Sequence, residues 1–299
     1  MKRILVLPGG GCKGKIVSSA CLALERRLNK PIAKTFDLIV GTSVGAILGS
    51  MYAVGNYSAF LVDGLMDKVI PRMFKRRMWP ALPKYRRKAF IDAWNSNIGN
   101  GVLMSECSTK YMCTAVNICD GLTHYFKSWE PEDGRLRLLD AVIRSFAAPV
   151  YFGEVDDAET QSVWLDGGTG NANYPLSQAV VEAVRQGWMA NEAVHVLSVG
   201  AGFFRRTVPF EKASRYRWLK QALYFAQPQD GGLARCQMVD AQVAQVSAIS
   251  GSLKNFSFQH VDTEITKEMD CMDGVKHLLA YQGAGRSMGL TISLQHLKG

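Results

Sequence analysis

Long apolar runs are missing from this 299-residue chain. No stretch reaches the ~18–20 residues that a membrane-spanning helix needs, so no span is expected. Paired cysteines are missing as well. The seven present, Cys12, Cys21, Cys107, Cys113, Cys119, Cys236 and Cys271, are odd in number and show no CxxC spacing and no histidine-rich neighbourhood. That pattern argues against a disulfide framework and a zinc site, and points to scattered reduced thiols in a cytoplasmic protein. Pro- or Ser-rich linkers and internal repeats are absent, which disfavours a string of separate modules. Acidic residues are the minority, 26 against 35 basic ones, for a net charge of +9. Such a balance suits an anionic partner, either a lipid surface or nucleic acid. No RNA-recognition or helix-turn-helix signature accompanies it, so nucleic acid is not expected. The opening Met1–Leu7 is too short for a signal peptide, because Pro8 and a glycine cluster stop it, and it reads as a buried first strand.

What remains is an ordinary globular composition, 47% hydrophobic and 20% charged, which rules out a disordered or collagen-like chain. The first two hundred residues alternate strand-like and helix-like segments. Ile4–Leu7 is a short apolar strand and Lys15–Leu28 a helix, with Ile16, Ala20, Leu24 and Leu28 on one face and Lys15, Glu25, Arg26 and Arg27 free to face water. A second strand, Asp37–Val40, leads into a small-residue helix over Ala46–Val54. Tyr111–Ile118 and His124–Trp129 read as paired strands around Asp120-Gly121. Arg137–Ser145 and Leu176–Gln186 are helical, and Val163–Leu165 and Val194–Val199 are strands. This alternation predicts an α/β fold, a mostly parallel sheet flanked by helices. Beyond Gly202 the pattern shifts to mainly helical segments, Tyr216–Ala226, Met238–Ser250 and the C-terminal end, with one strand over Asn255–His260. The expected organisation is a catalytic unit over residues 1–202 and an extension over 203–299 packed on the same domain.

Three motifs carry chemistry. Gly41-Thr42-Ser43-Val44-Gly45 is GxSxG, a pattern that sets a nucleophile on a sharp strand-to-helix turn flanked by glycines. Gly9-Gly10-Gly11-Cys12-Lys13-Gly14, between the first strand and first helix, can turn backbone N–H groups onto an anion. It lacks the P-loop spacing, and Asp37 begins its strand where a dinucleotide fold needs an acidic residue at the strand's end. With a serine elbow on the next strand, an oxyanion hole is the better use. Asp166-Gly167-Gly168 places a carboxylate at a strand end. The base that a serine needs is then Asp166 itself or a distant histidine such as His195, although His195 sits inside a strand-like apolar run.

Together these motifs resemble the patatin-like phospholipase family. Phe36–Gly45 is similar to that family's elbow strand, Ser145–Phe152 to the stretch before its catalytic aspartate, and Val196–Gly202 to its closing strand. The resemblance runs from about Arg3 to Gly202. It implies a three-layer α/β fold and a serine–aspartate dyad without histidine, Ser43 as nucleophile and Asp166 as base. It implies an oxyanion hole from Gly10, Gly11 and the Cys12 amide, supported by Gly9, Lys13, Gly14, Gly41, Gly45, Gly167 and Gly168. Pro8 departs from the aspartate many members carry there and has no N–H to offer. The implied activity is a serine acyl hydrolase of phospholipase A or lysophospholipase type acting on phospholipid, with no metal or cofactor. Members serve also as regulated membrane-damaging effectors in bacterial defence and virulence, so the C-terminal part leaves room for an activator site or homo-oligomerisation. The competing class is a non-catalytic binding module that uses the basic face.

That basic face centres on Lys68–Lys88, with nine basic residues and no acidic one, interleaved with Met73, Phe74, Met78, Trp79, Leu82 and Tyr85. Lys75, Arg76, Arg77, Arg86, Arg87 and Lys88 are the expected contacts to an anionic membrane surface, each contributing about 1 kcal/mol near the bilayer. Pro71, Pro80 and Pro83 predict an irregular cap rather than one long helix. Arg205, Arg206, Lys212, Arg215, Arg217 and Lys220, with Phe203, Phe204, Tyr216 and Trp218, form a second, sparser cluster.

Overall fold

The computed structural model describes residues 1–78, 82–205, 209–215 and 233–298. Strands β1 (Lys2–Leu7), β2 (Leu38–Gly41) and β7 (Val194–Val199) form the middle of an eight-stranded sheet and are buried along most or all of their length. Burial on both faces is why they read as continuous apolar runs rather than alternating ones. The order is β5 (Val155–Asp157), β6 (Ser162–Asp166), β3 (Lys110–Asn117), β2, β1, β7 and β8 (Phe256–Val261), with β4 (Leu122–Lys127) paired to β3 off this path. The β3–β2–β1–β7–β8 run is parallel, and β4, β5 and β6 join antiparallel.

Side chains alternate across the sheet. Leu5, Leu7 and Ile39 enter one core and Ile4, Val6, Leu38 and Val40 the other. The first core is covered by α1 (Gly14–Leu28), α2 (Ile32–Thr35), α3 (Val44–Ala53), α4 (Ala59–Met73), α5 (Lys88–Asn97), α6 (Leu138–Ser145) and the last helix. The second is covered by α7 (Leu176–Arg185), α8 (Trp188–Asn191) and α10 (Leu233–Ser252). A short α9 (Phe210–Ala213) precedes α10, and α11 (Leu278–Thr291) is the last helix. The result is the expected three-layer α/β arrangement.

Residues 203–299 do more than pack on a finished domain. β8 adds a parallel strand to β7, Val194 through Val199 opposite Phe256 through Val261, and α11 lies along α1. The expected helix Tyr216–Ala226 lies outside the described residues.

Two expectations are corrected. Lys15 does not face water: it is fully buried, its Nζ 2.9 Å from Asp63 and 2.7 Å from Asp67 on α4. Helix α4 also continues through Pro71 to Met73. The proline falls in its last turn, where one missing N–H is tolerated more easily than in the middle, and Ser58 caps the start by accepting the Leu61 N–H at 3.3 Å.

Candidate active site

One edge of β3 is shared by two strands that meet head to head. β2 runs parallel to it and ends with Gly41 opposite Cys113. β6 runs antiparallel and ends with Asp166 opposite Ala115. The residues that follow Gly41 and those at the end of β6 therefore converge on one point of the sheet edge. This register explains how two residues 123 positions apart in sequence are delivered to one place without either lying on a flexible loop.

Ser43 sits at that point with φ 54° and ψ −121°, a left-handed backbone unusual for a non-glycine residue. It precedes α3, and its own N–H donates to Ser145 Oγ at 3.0 Å. The elbow is tight on both sides: a Cβ at Gly45 would stand 2.1 Å from the Leu7 carbonyl oxygen, and one at Gly41 2.3 Å from that of Gly45. Thr42 Oγ1 is 2.7 Å from Thr114 Oγ1 and donates to the Ala172 carbonyl at 2.6 Å. A Cβ at Gly167 would stand 2.0 Å from Thr114 Oγ1, so Thr114 braces both strand ends. Asp166 is buried, its N–H donates to Ala147 O at 2.9 Å, and its Oδ1 accepts the Gly168 N–H at 2.7 Å.

The glycine loop closes the third side. A Cβ at Gly9 would lie 3.2 Å from Ser43 Cβ and 2.4 Å from Asn173 Oδ1, and one at Gly168 2.7 Å from the same Oδ1 and 3.1 Å from Asp166 Oδ1. The Asn173 carboxamide thus stands between the glycine loop and the aspartate loop, beside both Ser43 and Asp166. Gly14, at the start of α1, abuts Val44 at the start of α3.

The loop's amides are not all available for an oxyanion. Gly9 N–H donates to Asn173 O at 3.0 Å. The Cys12 N–H, expected in the hole, instead donates to Met272 O at 2.7 Å. Gly10 and Gly11 remain as candidate donors. Gly11 has φ +58°, and a Cβ there would stand 2.3 Å from the same Met272 oxygen. Lys13 is buried and its Nζ is 2.6 Å from Asp270 Oδ1. Both contacts come from the C-terminal segment, which lies outside the family resemblance.

The histidine weighed as an alternative base, His195, does not reach this point. His195 lies opposite Arg3 on β1, while Gly41 lies opposite Leu7, four residues further along. At ~3.3 Å per residue that separation is ~13 Å. Its Nδ1 is 2.8 Å from Ser257 Oγ, and burial, with His296 and Arg3 adding to it, lowers its pKa to about 4. A thiol nucleophile is no better placed: burial pushes Cys12 far above the ordinary thiol range, and Cys21, Cys107 and Cys113 up to about 12. Among the described residues no cluster of His, Cys, Asp and Glu could hold a metal ion.

Ser43 opens onto an apolar slot walled by Met51, Met66, Ile70, Met73, Trp94 and Phe146, with Gly11 and Met272 at its mouth. Its free volume is about 30 Å³, room for little more than one or two waters. Flexible methionines form much of the wall, the side chains most able to repack around an entering chain. Helices α4 and α5, which supply nearly half of this wall, were not read from the sequence.

Asn173, Ser145, Thr114 and Met272 were also missed. Ser145 lay inside a motif already noted, and Asn173 follows the Asp166 loop closely, so nearness in sequence was a usable signal for both. Met272 offered none.

A cGAMP-activated phospholipase of Escherichia coli (strain TW11681) is 29% identical over 237 residues, 72% of this chain and 66% of the relative. A cUMP-AMP-activated phospholipase of Escherichia coli is 28% identical over 217 residues, 69% of this chain and 67% of the relative. A cGAMP-activated phospholipase of Vibrio cholerae is 29% identical over 206 residues, and there the match spans 58% of the relative's length. The structure of VipD from Legionella pneumophila aligns over 95% of this chain at 12% identity with a TM-score of 0.37. The profile of the patatin-like phospholipase family matches residues 5–180, more than half of the chain, and the chain belongs to that family.

Proposed function

We propose that this protein is a serine acyl hydrolase of phospholipase A or lysophospholipase type, working through Ser43 and Asp166. The observation that carries the reading is the head-to-head meeting of β2 and β6 on one edge of β3, at the mouth of an apolar slot. Ser43 Oγ attacks the ester carbonyl as Asp166 takes its proton. The tetrahedral oxyanion forms against the amides of Gly10 and Gly11, in the turn just before α1. An oxyanion donor of this kind is worth about 10²–10³ in kcat. The alcohol or lysolipid leaves with the proton, and water cleaves the acyl-enzyme by the same route. The slot takes the fatty-acyl chain, and side-chain repacking must accompany its entry.

Ser43→Ala is expected to abolish release of fatty acid from phospholipid vesicles and of chromophore from a soluble ester, with an unchanged circular-dichroism spectrum. Near-wild-type turnover by folded Ser43→Ala protein overturns the assignment.

A second reading adds regulation to the same site. The relatives are named for activation by cGAMP and cUMP-AMP, and here the Cys12 N–H is occupied by Met272 O from the C-terminal segment. A small activator that shifts this segment would free a third donor. The protein so read is a cytoplasmic enzyme that docks on anionic membrane from one basic face.

A further inference from the structure

Against the glycine loop, bordered by Pro8, Lys13 and Asn173, lies a second cavity of about 310 Å³. That is the lower end of the range for small-molecule pockets, ~300–1,000 Å³. Its interior holds acceptors. Asp270 is 4% exposed, and although its Oδ1 is held by Lys13, its Oδ2 is buried without a hydrogen-bond partner. Leaving such an oxygen unpaired is costly, and native proteins seldom do so without a use. Asp262 also lines the cavity, its Oδ1 taking the N–H groups of Gly202 and Thr263 at 2.8 Å each and its Oδ2 4.0 Å from His260 Nε2. A Cβ at Gly200 would stand within 2.5 Å of that carboxyl group, which gives the Gly200-Ala201-Gly202 turn a purpose that catalysis does not require. Phe203 and Phe204 add flat apolar wall, and Arg205 stands half exposed with Asp240 at 3.2 Å.

We propose that this cavity is an effector site for a nucleobase-bearing ligand, the base lying against Phe203 and Phe204 and donating an N–H to Asp270 Oδ2, with Arg205 near its phosphate. Buried acceptors, an aromatic wall and a cation beside them are the complement of a base with an N–H edge and an anionic tail. The site is coupled to the oxyanion loop through one short chain of contacts: Asp270 holds Lys13 of that loop, and two residues later Met272 O holds the Cys12 N–H. Phe203 is tied to the same segment, donating its N–H to Thr263 O and accepting that of Ile265. A ligand that engages Asp270 and Phe203 together therefore bears on the loop from both ends. The inference of coupling rests on the acyl-hydrolase reading; the binding site does not.

The test is calorimetric titration of full-length Ser43→Ala and wild-type protein with cGAMP, AMP, GMP, UMP, ribose 5-phosphate and spermidine. At least one nucleotide is expected to bind both proteins alike, with ribose 5-phosphate and spermidine at least tenfold weaker. Asp270→Asn and, independently, Phe203→Ala should each weaken the nucleotide at least tenfold; Phe203→Ala serves if Asp270→Asn fails to fold. No binding by any nucleotide, tighter binding of spermidine or ribose 5-phosphate, or nucleotide binding indifferent to Phe203→Ala overturns the site. The bound nucleotide should also raise wild-type ester hydrolysis at least tenfold. Binding without any change in a measurable rate overturns the coupling. Binding with no hydrolysis under any condition overturns the acyl-hydrolase reading and leaves the site standing.

Discussion

At the scale of single residues the decisive contrast is between Asp166 and His195. The carboxylate stands where two strand ends meet, and the imidazole is ~13 Å along the sheet by strand register. Asp166→Asn should therefore lower kcat for a soluble ester by at least ~10³, and His195→Gln should leave it within a few-fold, both read on folded protein. Equal losses at the two positions would return His195 to the mechanism. His195 has its own signature in stability. Its pKa is about 4 in the folded protein against 6.5 for the free side chain, lowered by burial first and then by His296 and Arg3 beside it. The folded state refuses a proton that the unfolded chain accepts. The stability tied to neutral His195 is thus present in full above about pH 6.5 and is lost as pH falls toward about 4, on the order of 3 kcal/mol across that window. Chemical denaturation at pH 7 and pH 4.5 should show a larger loss for wild type than for His195→Gln; parallel losses would remove the burial argument.

At the scale of elements, α1 carries both ends of the molecule, because α11 lies along it. The contact depends on bare backbone: a Cβ at Gly285 would stand 2.1 Å from Ile16 O and one at Gly289 2.6 Å from Ala20 O. Gly283, on the same helix, would meet nothing within 4 Å. Gly285→Ala should destabilise by about 1–3 kcal/mol through overpacking, whereas Gly283→Ala should stabilise by about 0.5–1 kcal/mol through helix propensity. Opposite signs in urea denaturation check the packing, and matching signs would refute it. The same contrast shows which elements could be read in advance. β1, β2, α1, α3 and the elbow were legible because their apolar period and their turn glycines are local properties. Helices α4 and α5 were obscured by a run of basic residues and three prolines that reads as a cap. Lys15 was misplaced because its carboxylate partners Asp63 and Asp67 arrive only with α4. The Ser43–Asp166 convergence could be named from family resemblance, but its cause, the shared edge of β3, is a matter of register that one-dimensional pattern does not carry. The loop contacts of Asp270 and Met272 were invisible for the same reason.

At the scale of the whole molecule the proposed function asks how a slot with almost no free volume would meet a lipid. Phe74 lines the slot, and Lys75 is the next residue, so the basic segment begins at its wall. From there the chain runs past an open groove of about 760 Å³ lined by Arg76, Arg77 and Lys84, where Met78 is 94% and Leu82 52% exposed. The six basic residues expected at the membrane do not act alike. Lys75, Arg76 and Arg86 are exposed, whereas Arg77 is half-buried, its backbone N–H donating to Lys84 O at 2.8 Å. Arg87 is turned inward, donating to Gly153 O at 2.6 Å and to Glu154 O, which ties the segment to the loop after Ala148. Lys88 is exposed but paired with Asp92 at 3.0 Å. Trp79, one of the aromatic residues interleaved with these basic ones, lies outside the described residues. In the proposed docking the first three carry the charge, and the triple variant Lys75→Gln, Arg76→Gln, Arg86→Gln should weaken binding to anionic vesicles by up to ~10²-fold, at ~1 kcal/mol per cation. The wild-type affinity should fall with salt, since the Debye length shrinks from about 10 Å at 0.1 M to about 3 Å at 1 M, and the triple variant should show a shallower slope. Its turnover of a soluble ester should be unchanged, because none of the three touches Ser43, Asp166 or the glycine loop. Arg87→Gln should do the reverse, lowering thermal stability and soluble-ester turnover together by loosening the slot wall. Vesicle flotation paired with the soluble assay separates the two roles: a triple variant that floats with anionic vesicles as well as wild type would leave the basic face without a membrane to meet.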